Sequence, residues 1–370
     1  MPKQTFMQDL AEIAADQHLA GRIGRRQFLS ICALAGIAPG LLISRRAAAQ
    51  ANEIVLANWG GDAVKAYTDA WGIPFEGATG TKVAIDGTGP TDGKIKAMVE
   101  SGNVTWDVCD GDLFTPLSLG PRDLLEPLDY SIIDRDKVRP GHAFDHGIAG
   151  YLYSYVLAYD ASKFGNDPPK SWADFWNVDK YPGKRSFYKW MNGALEAALL
   201  ADGVARDQIY PIDMDRAFKK LEELKPHIGV YWESGSASQQ MFRDEEVVMG
   251  CIWHTRASLL EKETDGKITW TWNEGNAGGG CWVVPKGNPA GKKVMEFIAS
   301  AQDPQSQIAL LSTMGNGPAN PEGSQQAPEE LRRVDPGQPE NWAAQVPMGV
   351  EWFAENYDEA LNAYLDFISA

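Results

Sequence analysis

The chain has 370 residues, 34 Lys and Arg against 50 Asp and Glu, and a formal charge of -16. That length suits two domains or one large one, and a content of 44% hydrophobic and 23% charged residues is that of a soluble globular protein. The acidity argues against nucleic acid as a partner, because phosphate recognition needs a basic face, and against docking on anionic lipid.

Residues 1–51 differ from the rest. They carry six basic residues (Lys3, Arg22, Arg25, Arg26, Arg45, Arg46) and three acidic ones (Asp9, Glu12, Asp16), a net +3 that leaves -19 on the remainder. Gly24-Arg25-Arg26-Gln27-Phe28-Leu29 opens the apolar run Phe28–Ile43. Pro39-Gly40 interrupts that run, which is short for a membrane span. Ala47-Ala48-Ala49-Gln50-Ala51 then offers an A-x-A cleavage pattern ending at Ala51. The segment resembles a twin-arginine export signal. An ordinary secretory signal is the alternative, and Arg45-Arg46 beside the cleavage position favours the first reading. Cys32 lies inside the apolar run after Ile31, so lipoprotein processing is not expected. The mature chain is expected to begin near Asn52, periplasmic and unanchored. Its three cysteines, Cys109, Cys251 and Cys281, form no C-x-x-C pair and read as buried free thiols.

Glu53–Asn58 reads as a first strand ending in Trp59-Gly60-Gly61, and Asp62–Phe75 as a helix. Thr81–Ile85 is a strand, Gly93–Glu100 a helix, and Trp106–Cys109 a strand leading to Asp110-Gly111-Asp112. Tyr151–Tyr159 has strong β propensity. Ser171–Trp176 is a short helix with Ser171 as N-cap. Arg185–Tyr188 is a strand, and Gly193–Ala201 and Met214–Leu224 are helices. Gly235–Ser238 reads as a polar loop. Val247–Trp253 and Ile268–Trp272 are strands, and Cys281–Val284 is another after Gly278-Gly279-Gly280. Helices follow at Lys292–Ala301 and Pro304–Ser312. Met314–Gln326 is a connector, and Trp342–Phe367 is helical. Alternating strands and helices predict an α/β fold with mostly parallel sheets.

Catalytic motifs are mostly absent. There is no G-x-S-x-G, H-E-x-x-H, phosphate loop or dinucleotide glycine pattern. His142 and His146 have metal-pair spacing, but Gly141 and Gly147 flank them and no carboxylate partner is evident. No enzyme activity, cofactor or metal is expected. A hydrolase with an unrecognised triad and a metal-ion receptor are the lesser alternatives.

The ordered set of Asn58-Trp59, Trp106-Asp107-Val108, Leu125–Asp129, Ser171–Trp176 with Pro182-Gly183-Lys184, Glu246–Trp253, Val284–Gly287 and Met314–Asn320 resembles periplasmic receptors of ABC importers of the spermidine/putrescine-binding class. The resemblance implies a periplasmic-binding-protein-like fold of type II: two α/β lobes around a central cleft, with hinge crossings. Lobe one would be 52–157 plus 280–328, and lobe two 158–279 plus 329–370. It also implies a small-molecule solute, the membrane permease subunits of an ABC importer as partners, and a monomer.

The family holds protonated amines between aromatic rings and carboxylates. Trp59 and Trp253 match its cleft tryptophans; an ordinary core Trp is the alternative for each. Its acidic positions after the Gly-Lys turn fall on Trp190 and Gly193 here. Other residues can stand in for them: Asp110 and Asp112, expected on a cleft loop, and Glu233 after Trp232. Glu196, one turn past Gly193, is a further carboxylate. Tyr188 and Trp190 add ring faces. Basic groups also occur, with Lys189 beside Trp190, and His254 and Arg256 just after Trp253. An Arg suits a ligand carboxylate because it pairs bidentately. Three ligand classes therefore stay open: polyamine, ω-amino acid or similar zwitterion, and organic anion.

Overall fold

A computed structural model describes residue 14, residues 23–35 and residues 52–370. The cleavage position at 47–51 and Arg45-Arg46 lie outside the described residues. Arg25–Ala35 forms a helix whose Phe28 and Cys32 are buried beside Ala14. Among the described residues no helix is long and apolar enough to cross a membrane.

Strands β1 (Glu53–Ala57), β2 (Lys82–Asp86) and β3 (Val108–Asp112) lie parallel with β1 central. β3 continues past Cys109 because Cys109–Asp112 pairs antiparallel with Gly280–Val283. Asp110 and Asp112 therefore sit on a strand, not a loop, and alternation puts both on one face. The later strands are β4 (Ala143–Phe144), β5 (Gly147–Asp160), β6 (Arg185–Tyr188), β7 (Ile228–Trp232), β8 (Met249–Trp253), β9 (Ile268–Val283), β10 (Gly317–Pro318) and β11 (Val346–Pro347).

They form one sheet in the order β2-β1-β3-β9-β5-β8-β6-β7. The sheet is mixed and not mostly parallel. β5 pairs antiparallel with both β8 and β9, while β6 pairs parallel with β7 and β8. The two strands expected at Ile268–Trp272 and Cys281–Val284 are one strand of 16 residues. Gly278–Gly280 do not break it. They leave it bare where Tyr151 and Tyr153 of β5 lie across it, opposite Gly280 and Gly278.

β5 and β9, of 14 and 16 residues, each contribute to two hydrophobic clusters. The first contains Ile54, Leu56, Trp71, Val108, Trp282 and Phe297. The second contains Val156, Phe175, Phe187, Leu195, Ile252 and Tyr364. The register of β5 on β9 slips between Ala149 and Tyr151 and again between Tyr155 and Leu157. Such irregularities bend a strand, and here they fall on either side of the passage between clusters.

Helices cover the sheet. Asp62–Tyr67 continues through a π-helical turn, Thr68–Gly72, into Ile73–Thr79, so the expected helix runs past Phe75. Ser171 caps Trp172–Trp176 by accepting from Asp174 N at 3.2 Å. Gly235–Ser238 is the first turn of the helix Gly235–Arg243, capped by Ser234, and not a loop. The Met314–Gln326 connector holds β10 and the helix Pro321–Gln326. The C-terminal helix is divided, into Pro339–Ala343 and Val350–Ser369, because β11 and its Pro347 intervene. Val350–Ser369 buries Phe353, Ala360 and Tyr364 in the second cluster.

Candidate functional site

A cavity of about 440 Å³ opens where the C-terminal ends of β1 and β3 meet the second cluster. One wall is Trp59, Asp92, Asp112 and Phe114; Trp190 and Tyr357 stand on the other. Open α/β sheets bind ligands in this position, outside the carboxyl ends of their strands. A groove of about 540 Å³, lined by 126–130 and by Asn288, Gly291, Lys292 and Met295, shares no residue with it.

Trp59 reaches the cavity because the chain turns sharply after β1. Gly60 and Gly61 have φ of 75° and 61°, a region that favours glycine, and Asn58 Oδ1 accepts from Gly60 N at 2.9 Å. Trp59 is left 49% exposed, so about half of a large apolar side chain is open at the cavity.

The two aspartates of β3 have different surroundings. Asp110 is fully buried: Oδ2 accepts from Tyr67 Oη at 2.7 Å and Tyr151 Oη at 3.2 Å, and Oδ1 has no partner. It belongs to the interior and does not line the cavity. Asp112 is half-buried and lines it, and its Oδ1 accepts from Tyr153 Oη at 3.1 Å. Burial pushes both carboxyls up to about 7, and the neighbouring Asp92 carboxylate adds to the effect at Asp112.

Beside Asp112 the second cluster presents aromatic rings. Tyr188 stacks on Trp232 at 4.2 Å between centroids, and lies 4.8 Å from Trp190 and 5.5 Å from Trp253. Such ring edges and faces favour a cation and the methylenes that carry it. Trp253 is half-buried at the end of β8 and leads into the helix His254–Glu263.

Trp59 and Trp253 each precede a helix, and the residue three further on carries charge: Asp62 after Trp59, Arg256 after Trp253. Arg256 Nη1 lies 3.9 Å from Asp62 Oδ2. The Arg256 side chain is mostly buried, its Nε has no partner, and burial lowers its pKa from the ordinary arginine value. It is thus a cation with spare donors on the helix that follows Trp253.

Of the expected site residues Trp59, Asp112 and Trp190 line the cavity, whereas Tyr188, Trp253 and Arg256 do not, and the remaining candidates lie elsewhere. Glu233 is exposed and paired with Lys189 at 2.5 Å. Glu196 is buried, accepting from Gly193 N at 3.0 Å and Tyr210 Oη at 2.8 Å. His254 is not a basic group here: Nδ1 accepts from Ser154 N at 3.1 Å, Nε2 donates to Gly315 O at 2.8 Å, and burial lowers its pKa to about 4. Among the described residues no cluster of His, Cys, Asp and Glu could hold a metal ion, and Cys109, Cys251 and Cys281 are buried and unpaired.

Asp92, Phe114, Tyr153 and Tyr357 were not foreseen from sequence. Tyr153 had a signal, the Tyr-x-Tyr-x-Tyr alternation of β5 against a glycine triplet. Tyr357 had none, since a C-terminal helix face reveals nothing about a wall more than two hundred residues away.

Residues 70–332 match the family model described as bacterial extracellular solute-binding protein. The γ-aminobutyric acid-binding protein of Pseudomonas aeruginosa is 32% identical over 328 residues, covering 86% of this chain and 92% of that protein. Among solved structures, the Atu4243-GABA receptor is 36% identical with a TM-score of 0.80, covering 86% of this chain and 98% of its own. An ABC transporter substrate-binding protein from Bradyrhizobium japonicum is 36% identical with a TM-score of 0.81, covering 85% and 99%.

Proposed function

The chain belongs to the bacterial extracellular solute-binding protein family, and on that premise we propose that it captures a small ω-amino acid of the γ-aminobutyrate type and delivers it to an ABC importer. One observation carries the reading: a carboxylate, Asp112, open to an aromatic-walled cavity, to which the incompletely paired Arg256, reaching Asp62 on the helix after Trp59, adds a cation. Asp112 receives the ammonium in charge-assisted hydrogen bonds. Trp59, Trp190 and Trp253 shelter the methylenes, which gain from leaving water. Arg256 exchanges its long contact with Asp62 for the solute carboxylate. The relatives named for γ-aminobutyrate support this choice over a polyamine, which would need a carboxylate at each end.

The lobes are those drawn from sequence, 52–157 plus 280–328 and 158–279 plus 329–370, closing about β5 and β9. The receptor acts as a monomer without turnover, and its permease subunits read the closed form. Binding at a hundred times the dissociation constant stabilises the native state by about 2.7 kcal/mol. A thermal-shift titration of the mature chain should therefore show saturable stabilisation by γ-aminobutyrate, with small-angle scattering reporting a more compact particle. Stabilisation by spermidine or putrescine alone would replace the ω-amino acid with a polyamine. Stabilisation by a dicarboxylate alone would overturn the amine.

We also propose export of the folded chain through Arg25-Arg26. Replacing both with Lys should hold the precursor in the cytoplasm, as fractionation and immunoblotting would report. Normal periplasmic levels of the mature form would remove the twin-arginine reading.

A further inference from the structure

Tyr151, Tyr153 and Tyr155 occupy alternate positions of β5 and so share a face. Their hydroxyls do different work. Tyr151 Oη reaches Asp110, a carboxylate sealed in the interior. Tyr153 Oη reaches Oδ1 of Asp112, a carboxylate that lines the cavity. Both phenols must cross β9 to reach β3, and they can do so because β9 is bare there. A Cβ at Gly278 would stand 3.3 Å from Tyr153 Cζ, and one at Gly280 2.3 Å from Tyr151 Cζ. The Tyr153 ring is fixed on both sides, 5.8 Å from Tyr155 and 6.4 Å from Tyr151.

The next residue, Ser154, is pinned at the passage between the two bodies. Its N donates to His254 Nδ1 at 3.1 Å and its Oγ donates to Gln345 Oε1 at 2.5 Å. Tyr153 therefore holds Asp112 from the strand about which the lobes close.

We propose that Tyr153 is a positioning residue for solute capture. Its hydroxyl occupies one oxygen of Asp112, turns the other toward the solute ammonium, and ties that carboxylate to the hinge strand. The inference rests on the reading of Asp112 as the amine acceptor. It assigns Tyr153 a role through Asp112, distinct from contact with the solute.

The bond also tunes ionisation. Facing Asp112 are Asp92 from the helix Asp92–Ser101, Asp110 from β3, Tyr151 and Tyr155 from β5, Tyr188 from β6, Cys281 from β9 and Tyr357 from the C-terminal helix. Lys96, Arg122, Glu355 and Asp358 line the same cavity. Burial and Asp92 raise the carboxyl of Asp112, and the Tyr153 hydrogen bond opposes them. Removing the hydroxyl raises it further, so the carboxylate needed for an ammonium is lost at a higher pH.

The test is calorimetric titration of the mature chain with γ-aminobutyrate from about pH 5.5 to about pH 9, for wild type, Tyr153→Phe, Tyr151→Phe and Asp112→Asn. The pH at which affinity begins to fall should rise by roughly one unit in Tyr153→Phe. Affinity at neutral pH should then drop about fivefold, approaching tenfold at the acidic end and recovering largely at the alkaline end. Tyr151→Phe removes the same hydroxyl from Asp110 and should not raise that midpoint. A loss in Tyr153→Phe that is equal at every pH, or no loss at all, overturns the positioning role while leaving Asp112 as the acceptor. Wild-type affinity in Asp112→Asn, or no binding of γ-aminobutyrate by wild type, overturns the functional reading and this inference together.

Discussion

Replacing Gly280 with Ala is expected to destabilise the mature chain by about 2–3 kcal/mol, as an overpacked core does, lowering its melting temperature by on the order of 5 °C. The added Cβ would lie 2.2 Å from Tyr151 Cε1 and 2.6 Å from Asp110 Oδ1. Neither atom belongs to a flexible tip. Tyr151 is buried against Tyr67 and hydrogen-bonded to Asp110, and Asp110 is fully enclosed. Relief requires moving a phenol that crosses the sheet, at the cost of the hydrogen bond it makes. Gly77→Ala is the control: it lies in the helix Ile73–Thr79 with nothing within 4 Å, and helix propensity favours the change. Scanning calorimetry of the two variants decides the matter. An unshifted Gly280→Ala would mean that the tyrosine row does not press on β9 as described.

Arg256→Gln is expected to weaken γ-aminobutyrate binding at least about 30-fold, because a buried ligand carboxylate left without its charged partner costs about 2–5 kcal/mol. Putrescine, which has no carboxylate, should lose nothing by the same change. The fold should be nearly indifferent. Arg256 meets Asp62 only at 3.9 Å, and the Asp62 side chain is 86% exposed, so that pair contributes less than about 1 kcal/mol. Titrating both solutes against wild type and variant separates the possibilities. Equal loss for the zwitterion and the diamine would show that Arg256 shapes the closed cleft and does not read a carboxylate.

Much of the framework was legible because local chemistry dictated it. β6 (Arg185–Tyr188) and the helix Met214–Leu224 were read to the residue. The capping serine at 171 was read for the reason it works, a hydroxyl that accepts from Asp174 N. β9 was misread because three glycines in sequence signal a break. In the sheet they are the vacancy into which the phenols of the neighbouring strand fit, which only a pairing register can reveal. For the site, Trp59 and Trp253 were nominated because they match the cleft tryptophans of the family that the sequence resembles. Asp110 and Asp112 could not be told apart, since both alternate onto one face and their difference is a matter of depth. Glu233 looked equal to them in sequence, yet it pairs with Lys189 in solvent.

The three thiols of residues 52–370 bear on how such a chain survives outside the cell membrane. Cys109, Cys251 and Cys281 are each 0% exposed, and burial raises every one well above the ordinary thiol range. Disulfide exchange requires a thiolate within reach of an oxidant, so the native fold shields all three even in an oxidising compartment. An unfolded chain has no such protection, and the three sulfhydryls of residues 52–370 cannot all pair with one another. Under the export of the folded chain proposed above, the three sulfur atoms would be packed away before the chain met an oxidant.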